Sequence, residues 1–284
     1  MAHNTNPQAE ELLDKEFKCL NAGFVRLIDY MGGDESIVQA ARVSYGKGTK
    51  SVNEDRGLIR YLMRHQHTTP FEMVELKFHI KLPIFVARQW IRHRTANVNE
   101  YSGRYSVMKD EFYIPDADAI HFQSKRNKQG RASEEVPTEL RKKVLDILTS
   151  AQRETYAEYE HMLEEDIARE LARVHLPLSL YTEWYWKIDL HNLFHFLQLR
   201  IDEHAQYEIR VYGEAMAEIT KKVAPMAWEA FEDYILKAKK FSRLELNVLK
   251  EHFKTDALTT EYLESKGFGK REAEEFLEKL KEIK

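Results

Sequence analysis

Residues 74–94 read VELKFHIKLPIFVARQWIRHR. In the first nine, apolar side chains alternate completely with charged ones and a histidine, which predicts a half-buried strand from Val74 to Leu82. Pro83 then suits the first turn of a helix. The predicted buried side of that helix consists of Ile84, Ala87 and Ile91. The helix carries the arginine-rich end of the segment into a loop beginning near Thr95.

Strands and helices are predicted on both sides of this segment. In chain order they are a strand at Gly23–Tyr30, a helix starting near Asp34, a helix capped by Asn53 and ending near His65, a turn at 67–72, a mobile insertion at 120–135, helices at about 138–164 and 166–174, a strand at 176–188, and a long helix from Asp189 to about Val223 closed by Pro225. We expect three regions: a polar leader at 1–22, a main domain at 23–240, and a helical appendage at 241–284 with a break at Gly267–Gly269.

The bulk composition is that of a soluble globular protein. The 284 residues are 43% hydrophobic and carry a formal net charge of −4. A net negative charge argues against a protein whose main function is to bind nucleic acid. The N-terminus lacks a signal-like apolar core and no segment reaches membrane-spanning length, so we expect a cytoplasmic protein without membrane contact. The single cysteine, Cys19, excludes an internal disulfide and reads as an ordinary thiol.

A local basic segment stands out against the overall acidity. Arg88–Ser106 contains four arginines, one histidine and one acid, Glu100. Arginine offers paired donors to phosphate oxygens, Ser102 can donate its hydroxyl, and Gly103 lets the backbone approach a ligand. The alternative is a solvated helix end whose arginines pair with nearby acids. The pattern favours a site for phosphorylated small molecules.

The predicted long C-terminal helix carries a second group of polar side chains. Arg200 and His204 are i and i+4 neighbours there, with Glu203 and Tyr207 nearby. Arg200 follows apolar residues, so its head is expected at the edge of an apolar cavity. A surface arginine whose stem lies along apolar neighbours is the alternative.

Other candidate groups are less specific. His191 and His195 have the i, i+4 spacing of a metal pair, but no third ligand is evident, so ligand-contacting or satisfied imidazoles are expected in place of a metal site. Glu72 and Glu100 are possible acids or bases, although isolated carboxylates are usually solvated or paired. No dinucleotide-binding or P-loop glycine pattern is present.

Four segments together strongly resemble one family. They are HTTPFE at 67–72, FVARQWIRHRTANVNEYSGRYS at 85–106, LARVHLPLSLYTEWYW at 171–186 and FLQLRIDEHAQYEIR at 196–210. The resemblance is to the flavin-dependent thymidylate synthases and covers about Gly23 to Tyr234. It implies a mixed α/β (α+β) fold with a central antiparallel or mixed sheet flanked by long helices, in a homotetramer whose active sites are shared between subunits. It also implies the methyltransfer reaction that converts dUMP to dTMP, with FAD as cofactor and methylenetetrahydrofolate and NADPH as co-substrates.

The resemblance implies two sets of binding residues. Those expected to bind dUMP are Gln89, Trp90, Ile91, Arg92, Glu100, Tyr101, Ser102, Gly103, Arg104, Arg173 and Arg200. Those expected to bind FAD are Thr69, Glu72, Arg92, His93, Arg94, Glu100, Asp189, Leu190, His191, His195 and His204. Arg200 matches the family's catalytic residue, and no metal is implied. Because a guanidinium stays protonated, Arg200 is expected to stabilise negative charge on the uracil ring and not to act as a base.

The chain departs from the family pattern at a few positions. Members often have Asn, Arg and Asn where this chain has Asp189, His191 and His195, and a histidine where it has Met73. An ionised Asp189 could accept from a ribose hydroxyl or an adenine amine but could not donate to phosphate.

Three rival functions stay open at this level. A nucleic-acid-binding module would use the basic segment and the aromatic run at 184–186, and would bind oligonucleotides in a salt-sensitive way. A metalloenzyme would use His191 and His195 and would contain stoichiometric metal. An NADPH oxidase would keep the flavin but use another acceptor, and only a product assay with dUMP and folate distinguishes it.

Overall fold

A computed structural model describes residues 5–43, 52–125, 130–252 and 258–283 of the chain. In that part there are seven strands: β1 (Glu16–Cys19), β2 (Gly23–Met31), β3 (Glu75–Pro83), β4 (Asn97–Glu100), β5 (His121–Gln123), β6 (Arg131–Glu135) and β7 (Tyr181–Asp189). Five form one sheet in the order β1-β2-β3-β7-β4, and every neighbouring pair is antiparallel. The mixed α/β fold with an antiparallel sheet is therefore confirmed.

The helices of the described residues are α1 (Pro7–Glu10), α2 (Asp34–Val43), α3 (Val52–Arg64), α4 (Ile84–Trp90), α5 (Thr138–Glu164), α6 (Arg169–Ala172), α7 (Leu190–Arg200), α8 (Tyr207–Val223), α9 (Pro225–Phe231), α10 (Arg243–His252), α11 (Thr260–Ser265) and α12 (Lys270–Ile283). Short 3-10 turns lie at Thr69–Met73, Ala117–Ala119 and Arg173–His175, and a π turn lies at Glu232–Leu236. Within these described ranges, no helix combines the length and the apolar character that crossing a membrane requires.

The alternation in β3 builds the centre of the sheet. Its apolar side chains Leu76, Phe78, Ile80 and Leu82 are fully buried, and so is Val74 just before it. On the neighbouring strand β7, Trp186 lies opposite Phe78 and Trp184 lies opposite Ile80. Because a strand presents alternate residues to one face, the polar residues of β3 lie on the other face, where His79 stacks on Tyr185.

An aromatic cluster joins this sheet to the helices that carry the basic segment. Trp90, at the end of α4, packs at 4.6 Å between ring centroids against Phe196 of α7. The same indole meets Trp184, Trp186 and Tyr212 edge-on. Since a buried aromatic side chain contributes a large apolar surface, the cluster fixes the ends of α4 and α7 relative to each other.

The predicted single helix from Asp189 to Val223 is wrong, because the chain leaves the helix after Arg200 and starts α8 at Tyr207. In the connection, the Asp202 carboxylate accepts from the backbone N–H of His204 at 2.8 Å. Such local side-chain bonds compete with helical ones. Asp189 does cap α7, accepting from the backbone N–H of Asn192 at 2.9 Å. The predicted end at Val223 is confirmed for α8, and Pro225, which follows that end, also begins α9.

Several other boundaries differ from the prediction. The helix predicted to be capped by Asn53 already begins at Val52. Ile91 is exposed, because α4 ends at Trp90 and buries Val86 in its place. The strand expected from Leu176 begins at Tyr181, after a turn in which the Leu180 N–H donates to the Pro177 carbonyl.

Three segments predicted without strands contain them, and one of these is the loop after Thr95, which holds β4. The described part of 120–135 holds the β5–β6 pair, here called the insertion hairpin. The leader at 1–22 contributes α1 and β1, and β1 pairs with β2 at the edge of the sheet. The appendage forms α10, α11 and α12.

Candidate active site around His93 and Arg200

Arg92–Arg94, here called the RHR motif, lies where α4 unwinds. The Ile91 N–H still bonds to the Ala87 carbonyl, and the His93 N–H closes a tighter turn on the Trp90 carbonyl at 2.9 Å. As a result Arg92 and Arg94 are exposed while His93 between them is half-buried. The aromatic cluster around Trp90 therefore anchors a turn that presents two guanidinium groups to solvent.

Arg200 lies directly against this turn. Its Nε–H donates to His93 Nε2 at 3.0 Å, which makes Nε2 the acceptor and places the ring proton on Nδ1. Burial, the Arg200 charge and His195 lower the pKa of His93 to about 4. Burial also lowers the pKa of Arg200. At neutral pH the pair is thus a neutral imidazole and a guanidinium.

The loop after β4 brings the remaining signature residues alongside β7. Glu100 accepts from the Thr182 hydroxyl at 2.8 Å. The Tyr101 N–H donates to the Glu183 carbonyl, and its phenol donates to the Val107 carbonyl at 2.7 Å. Ser102 accepts from the backbone N–H of Arg104 through its hydroxyl oxygen at 3.3 Å. The loop is held mainly by its own backbone and by β7.

Gly103 and Arg173 come together from distant parts of the chain. A Cβ added to Gly103 would lie 3.0 Å from Arg173 Cδ and 2.8 Å from the Met108 sulfur. Any larger residue at this position would displace the Met108 side chain, which glycine avoids. Arg104 Nε pairs with Glu170 at 3.0 Å, but both side chains are more than half exposed, so the pair is weak.

Three of the arginines expected to bind phosphate are free of protein partners in the described ranges. Among residues 5–43, 52–125, 130–252 and 258–283, no hydrogen bond or salt bridge engages the side chain of Arg92, Arg94 or Arg173. A solvated helix end would pair its arginines with acids. The geometry therefore favours the interpretation as an anion site for this part of the segment.

A separate cavity of about 250 Å³ lies where α3, α7 and α9 meet. Its walls include Leu62, Met63, Gln66, His67, Thr68, Phe71, His191, Phe194, His195, Gln198, Phe231, Ile235 and Lys240. His195 also lies next to His93, with 6.3 Å between ring centroids, so the cavity and the RHR turn are neighbours. Apolar walls with imidazole, amide and hydroxyl groups suit a large aromatic cofactor.

The other residues expected to bind the flavin differ in how well they are placed to do so. Thr69 and Glu72 lie exposed on the 3-10 turn beside this cavity. Both carboxylate oxygens of Asp189 are engaged by Asn192, through its N–H and its side-chain amide at 2.7 Å. His204 is exposed, pairs with Asp202 at 2.9 Å, and lies beyond the end of α7, so it is not a helical neighbour of Arg200.

Two expected contact residues have fully buried side chains. Trp90 and Leu190 are in the hydrophobic core, which leaves their backbone for ligand contact. Conversely, residues outside the two expected sets lie at the site. His67 lines the cavity, and Gln206 accepts from the side-chain amide of Gln89. Both residues lie within segments that resemble the family, His67 in HTTPFE and Gln206 in FLQLRIDEHAQYEIR. Membership in those segments is the sequence signal that could have identified them.

Metal and thiol chemistry find no support in the described part of the chain. No group of three or more His, Cys, Asp or Glu side chains there is placed to hold a metal ion. Cys19 is buried, and burial together with the Glu214 charge raises the pKa of its thiol to about 12. A thiol with such a pKa is a poor nucleophile at neutral pH.

Comparison with known proteins gives a consistent result. The family model described as thymidylate synthase complementing protein matches residues 26–226. The chain is 55% identical over 278 residues to the flavin-dependent thymidylate synthase of Ehrlichia ruminantium (strain Welgevonden), covering 98% of this chain and 92% of that protein. It is 56% identical over 269 residues to the protein of the same name from Treponema denticola, covering 95% and 98%.

A solved structure shares the fold as well. It is the UMP/dUMP methylase PolB from Streptomyces cacaoi bound with 5-Br dUMP, with a TM-score of 0.70 and 33% sequence identity. The similarity covers 78% of this chain and 99% of PolB. The chain therefore belongs to the family of the flavin-dependent thymidylate synthases.

Proposed function

We propose that the protein methylates dUMP to dTMP, using methylenetetrahydrofolate as carbon donor and NADPH, through FAD, as reductant. The observation that carries the proposal is the contact between Arg200 and His93. It joins the residue expected to activate the pyrimidine to the motif expected to hold the flavin. The unpaired arginines around it supply the positive charge that two phosphorylated ligands require.

On the nucleotide side, the residues near Gly103 form an anion-binding loop. Arg173 lies against the buried Gly103, and the half-buried Ser102 adds a hydroxyl donor beside it. Arg200 is half-buried, so its charge acts in a medium less polar than water. There a fixed guanidinium stabilises negative charge developing on the uracil ring more strongly than it would in solution.

On the cofactor side, the chemistry of the residues fits FAD. The cavity between α3, α7 and α9 supplies apolar walls from Phe194 and Phe231, and Arg94 has no acidic partner among the described residues. A bound flavin would supply the two-electron reduction that completes the methyl group. His93 is neutral at physiological pH because of its lowered pKa, so it contributes ring packing and a hydrogen bond without adding charge.

The exposed apolar side chains beside the loop support a homotetramer with shared active sites. Tyr105 follows Arg104 and is 74% exposed, and Val174 follows Arg173 and is also 74% exposed. Leu171 and Leu178 extend this exposed apolar surface. Apolar patches next to a site are typical of subunit contacts. We place the enzyme in the cytoplasm, acting on small molecules without nucleic-acid or membrane partners.

The test starts from the absorbance spectrum of the purified protein. We expect flavin bands that shift when dUMP is added, and dTMP formation when methylenetetrahydrofolate and NADPH are present. A well-folded preparation that is colourless, takes up no FAD and gives no heat with dUMP would contradict the proposal. NADPH consumption with bound flavin but without dTMP would instead support the oxidase alternative.

A further inference from the structure

A chain of side-chain hydrogen bonds leads inward from Gln89. The Gln89 amide donates through Nε2 to Oε1 of Gln206. The Gln206 amide in turn donates through Nε2 to Oε2 of Glu208, at 2.9 Å. Gln206 immediately precedes α8, and Glu208 lies in its first turn. The hydrogen bonds thus connect the half-buried Gln89 to the interior of the protein.

Glu208 is a buried carboxylate with a full set of donors. It is 3% exposed. Its Oε1 accepts from the Tyr113 hydroxyl at 2.9 Å and from the Arg131 guanidinium of the insertion hairpin. Burial by itself raises the pKa of Glu208, but the Gln206 bond, the Arg131 charge and the Tyr113 bond outweigh it, and the net pKa is lowered. The carboxylate stays ionised and can therefore only accept hydrogen bonds.

The charge on Glu208 fixes the orientation of both amides. Because Glu208 cannot donate, Gln206 must turn its NH₂ group inward, which directs its Oε1 to Gln89. Gln89 must then present its own NH₂ to Gln206, so its carbonyl oxygen is the group left for a ligand. An amide without such a partner would sample both orientations.

We propose that Glu208 is a positioning residue for dUMP, acting through Gln206 on the amide of Gln89, with Arg131 holding the carboxylate in place. The inference rests on the proposed function, since it takes Gln89 as a dUMP ligand. It also gives the insertion hairpin a role: the hairpin and the start of α8 enclose a cavity of about 760 Å³, whose wall includes Arg131 and Gln206.

The experiment reverses the amide relay and then restores it. In Glu208→Gln, Tyr113 and Arg131 donate to the new carbonyl oxygen, so the new NH₂ group faces the NH₂ group of Gln206. Because two donors cannot pair, the amides of Gln206 and Gln89 must both rotate. We expect the dissociation constant for dUMP, measured by calorimetry on the FAD-loaded protein, to rise about tenfold, or about 1.4 kcal/mol. FAD content is expected to stay unchanged. Glu218→Gln, on the exposed part of the same helix, is the matched control without effect.

The double variant Gln206→Glu/Glu208→Gln separates positioning from a purely structural role. The amide introduced at position 208 would donate to the carboxylate introduced at position 206, and that carboxylate would accept again from Gln89. We therefore expect dUMP affinity to return to within about threefold of wild type. Should Glu208→Gln fail to fold, Gln206→Met cuts the same relay at an exposed position and is expected to weaken dUMP binding equally.

The outcomes distinguish this inference from the proposed function. A wild-type enzyme that does not bind dUMP contradicts the proposed function itself. A wild-type enzyme that binds dUMP, together with variants that bind it equally well, overturns the relay alone. The relay is also overturned if the double variant stays as weak as Glu208→Gln.

Discussion

Arg200 Nε donates a hydrogen bond to His93 Nε2 across 3.0 Å, and this contact joins two segments 107 residues apart in sequence. It places the last residue of α7 on the middle residue of the RHR turn. The bond uses one of the five guanidinium donors, which leaves the others for a ligand. The two halves of the site are therefore coupled through one imidazole.

Replacing Arg200 tests the assigned catalytic role. We expect Arg200→Ala to lower the rate of dTMP formation by about 100-fold or more, because a fixed donor to developing charge is lost from a partly buried site. Its FAD content should match wild type, since the RHR turn keeps its own backbone bonds. Arg200→Lys keeps the charge without the planar fork and should lie in between. Full synthase activity in Arg200→Ala would contradict the role.

The lowered pKa of His93 predicts a pH dependence of stability. Its folded-state pKa is about 4 and its ordinary value is 6.5, so the unfolded chain binds more protons between these values. The free energy of unfolding contributed by this group is therefore complete above about pH 6.5 and is lost as the pH falls towards about 4. If His93 had a carboxylate partner, its contribution to the free energy of unfolding would instead increase as the pH falls.

Urea unfolding of His93→Gln against wild type measures that contribution. We expect the difference in free energy of unfolding between the two proteins to shrink from about pH 7.5 to about pH 5, because glutamine does not titrate. A difference that grows on acidification would show that His93 is charged in the folded state.

The elements predicted best are the long helix before residue 165 and the alternating strand β3. The helix expected at 138–164 is found with those bounds as α5, and the alternation of β3 matches its burial as far as Ile80, after which Lys81 is buried as well. In contrast, β4 was missed because all four residues are exposed, so burial leaves no alternating pattern in the sequence. Only its pairing with β7 defines it.

Two features could not be predicted from the sequence: the break between α7 and α8, and the hydrogen-bond relay from Gln89. The apolar period continues from one helix towards the next, and a single Asx turn at Asp202 stops it. The relay joins residues 117 positions apart, and glutamine and glutamate on a helix normally indicate a solvated face. Buried polar contacts of this kind form only in the assembled fold. A sequence motif gives the separation of two residues along the chain and not their contact in space.

Gly103 provides a test of the phosphate loop. In Gly103→Ala, the new Cβ would lie 2.8 Å from the Met108 sulfur and 3.0 Å from Arg173 Cδ, so Met108 must shift and Arg173 must give way by a few tenths of an ångström. We expect dUMP affinity, measured by calorimetry, to fall about tenfold, or about 1.4 kcal/mol. Gly57→Ala is the matched control, since its Cβ meets nothing within 4 Å. It lies inside α3 and should raise stability by about 0.5–1 kcal/mol without affecting dUMP.

The appendage is attached to α3 by a charged seam. Arg60 Nη2 pairs with Glu272 of α12 at 3.2 Å, and both side chains are nearly buried, at 11% and 12% exposure. One turn further, Arg64 Nε pairs with Glu275 at 2.7 Å. The Tyr234 hydroxyl also donates to Glu272. These contacts join the proposed main domain, 23–240, to the proposed appendage, 241–284.

Cutting that seam tests the proposed division of the chain. In Glu272→Ala/Glu275→Ala, Arg60 keeps Asp233 at 2.6 Å and Glu229 at 3.0 Å. Arg64, whose side chain is 9% exposed, loses its carboxylate partner and keeps only the Tyr234 hydroxyl at 3.3 Å. We therefore expect a loss of about 3–5 kcal/mol in the free energy of unfolding. Glu274→Ala/Glu278→Ala, at exposed positions of α12, should cost less than about 0.5 kcal/mol. If residues 23–240 form the catalytic domain, both variants keep wild-type dTMP formation when assayed well below their melting temperatures. A selective loss of activity in the seam variant would instead place the appendage within the catalytic unit, because its α12 helix abuts the end of α3 that leads to His67.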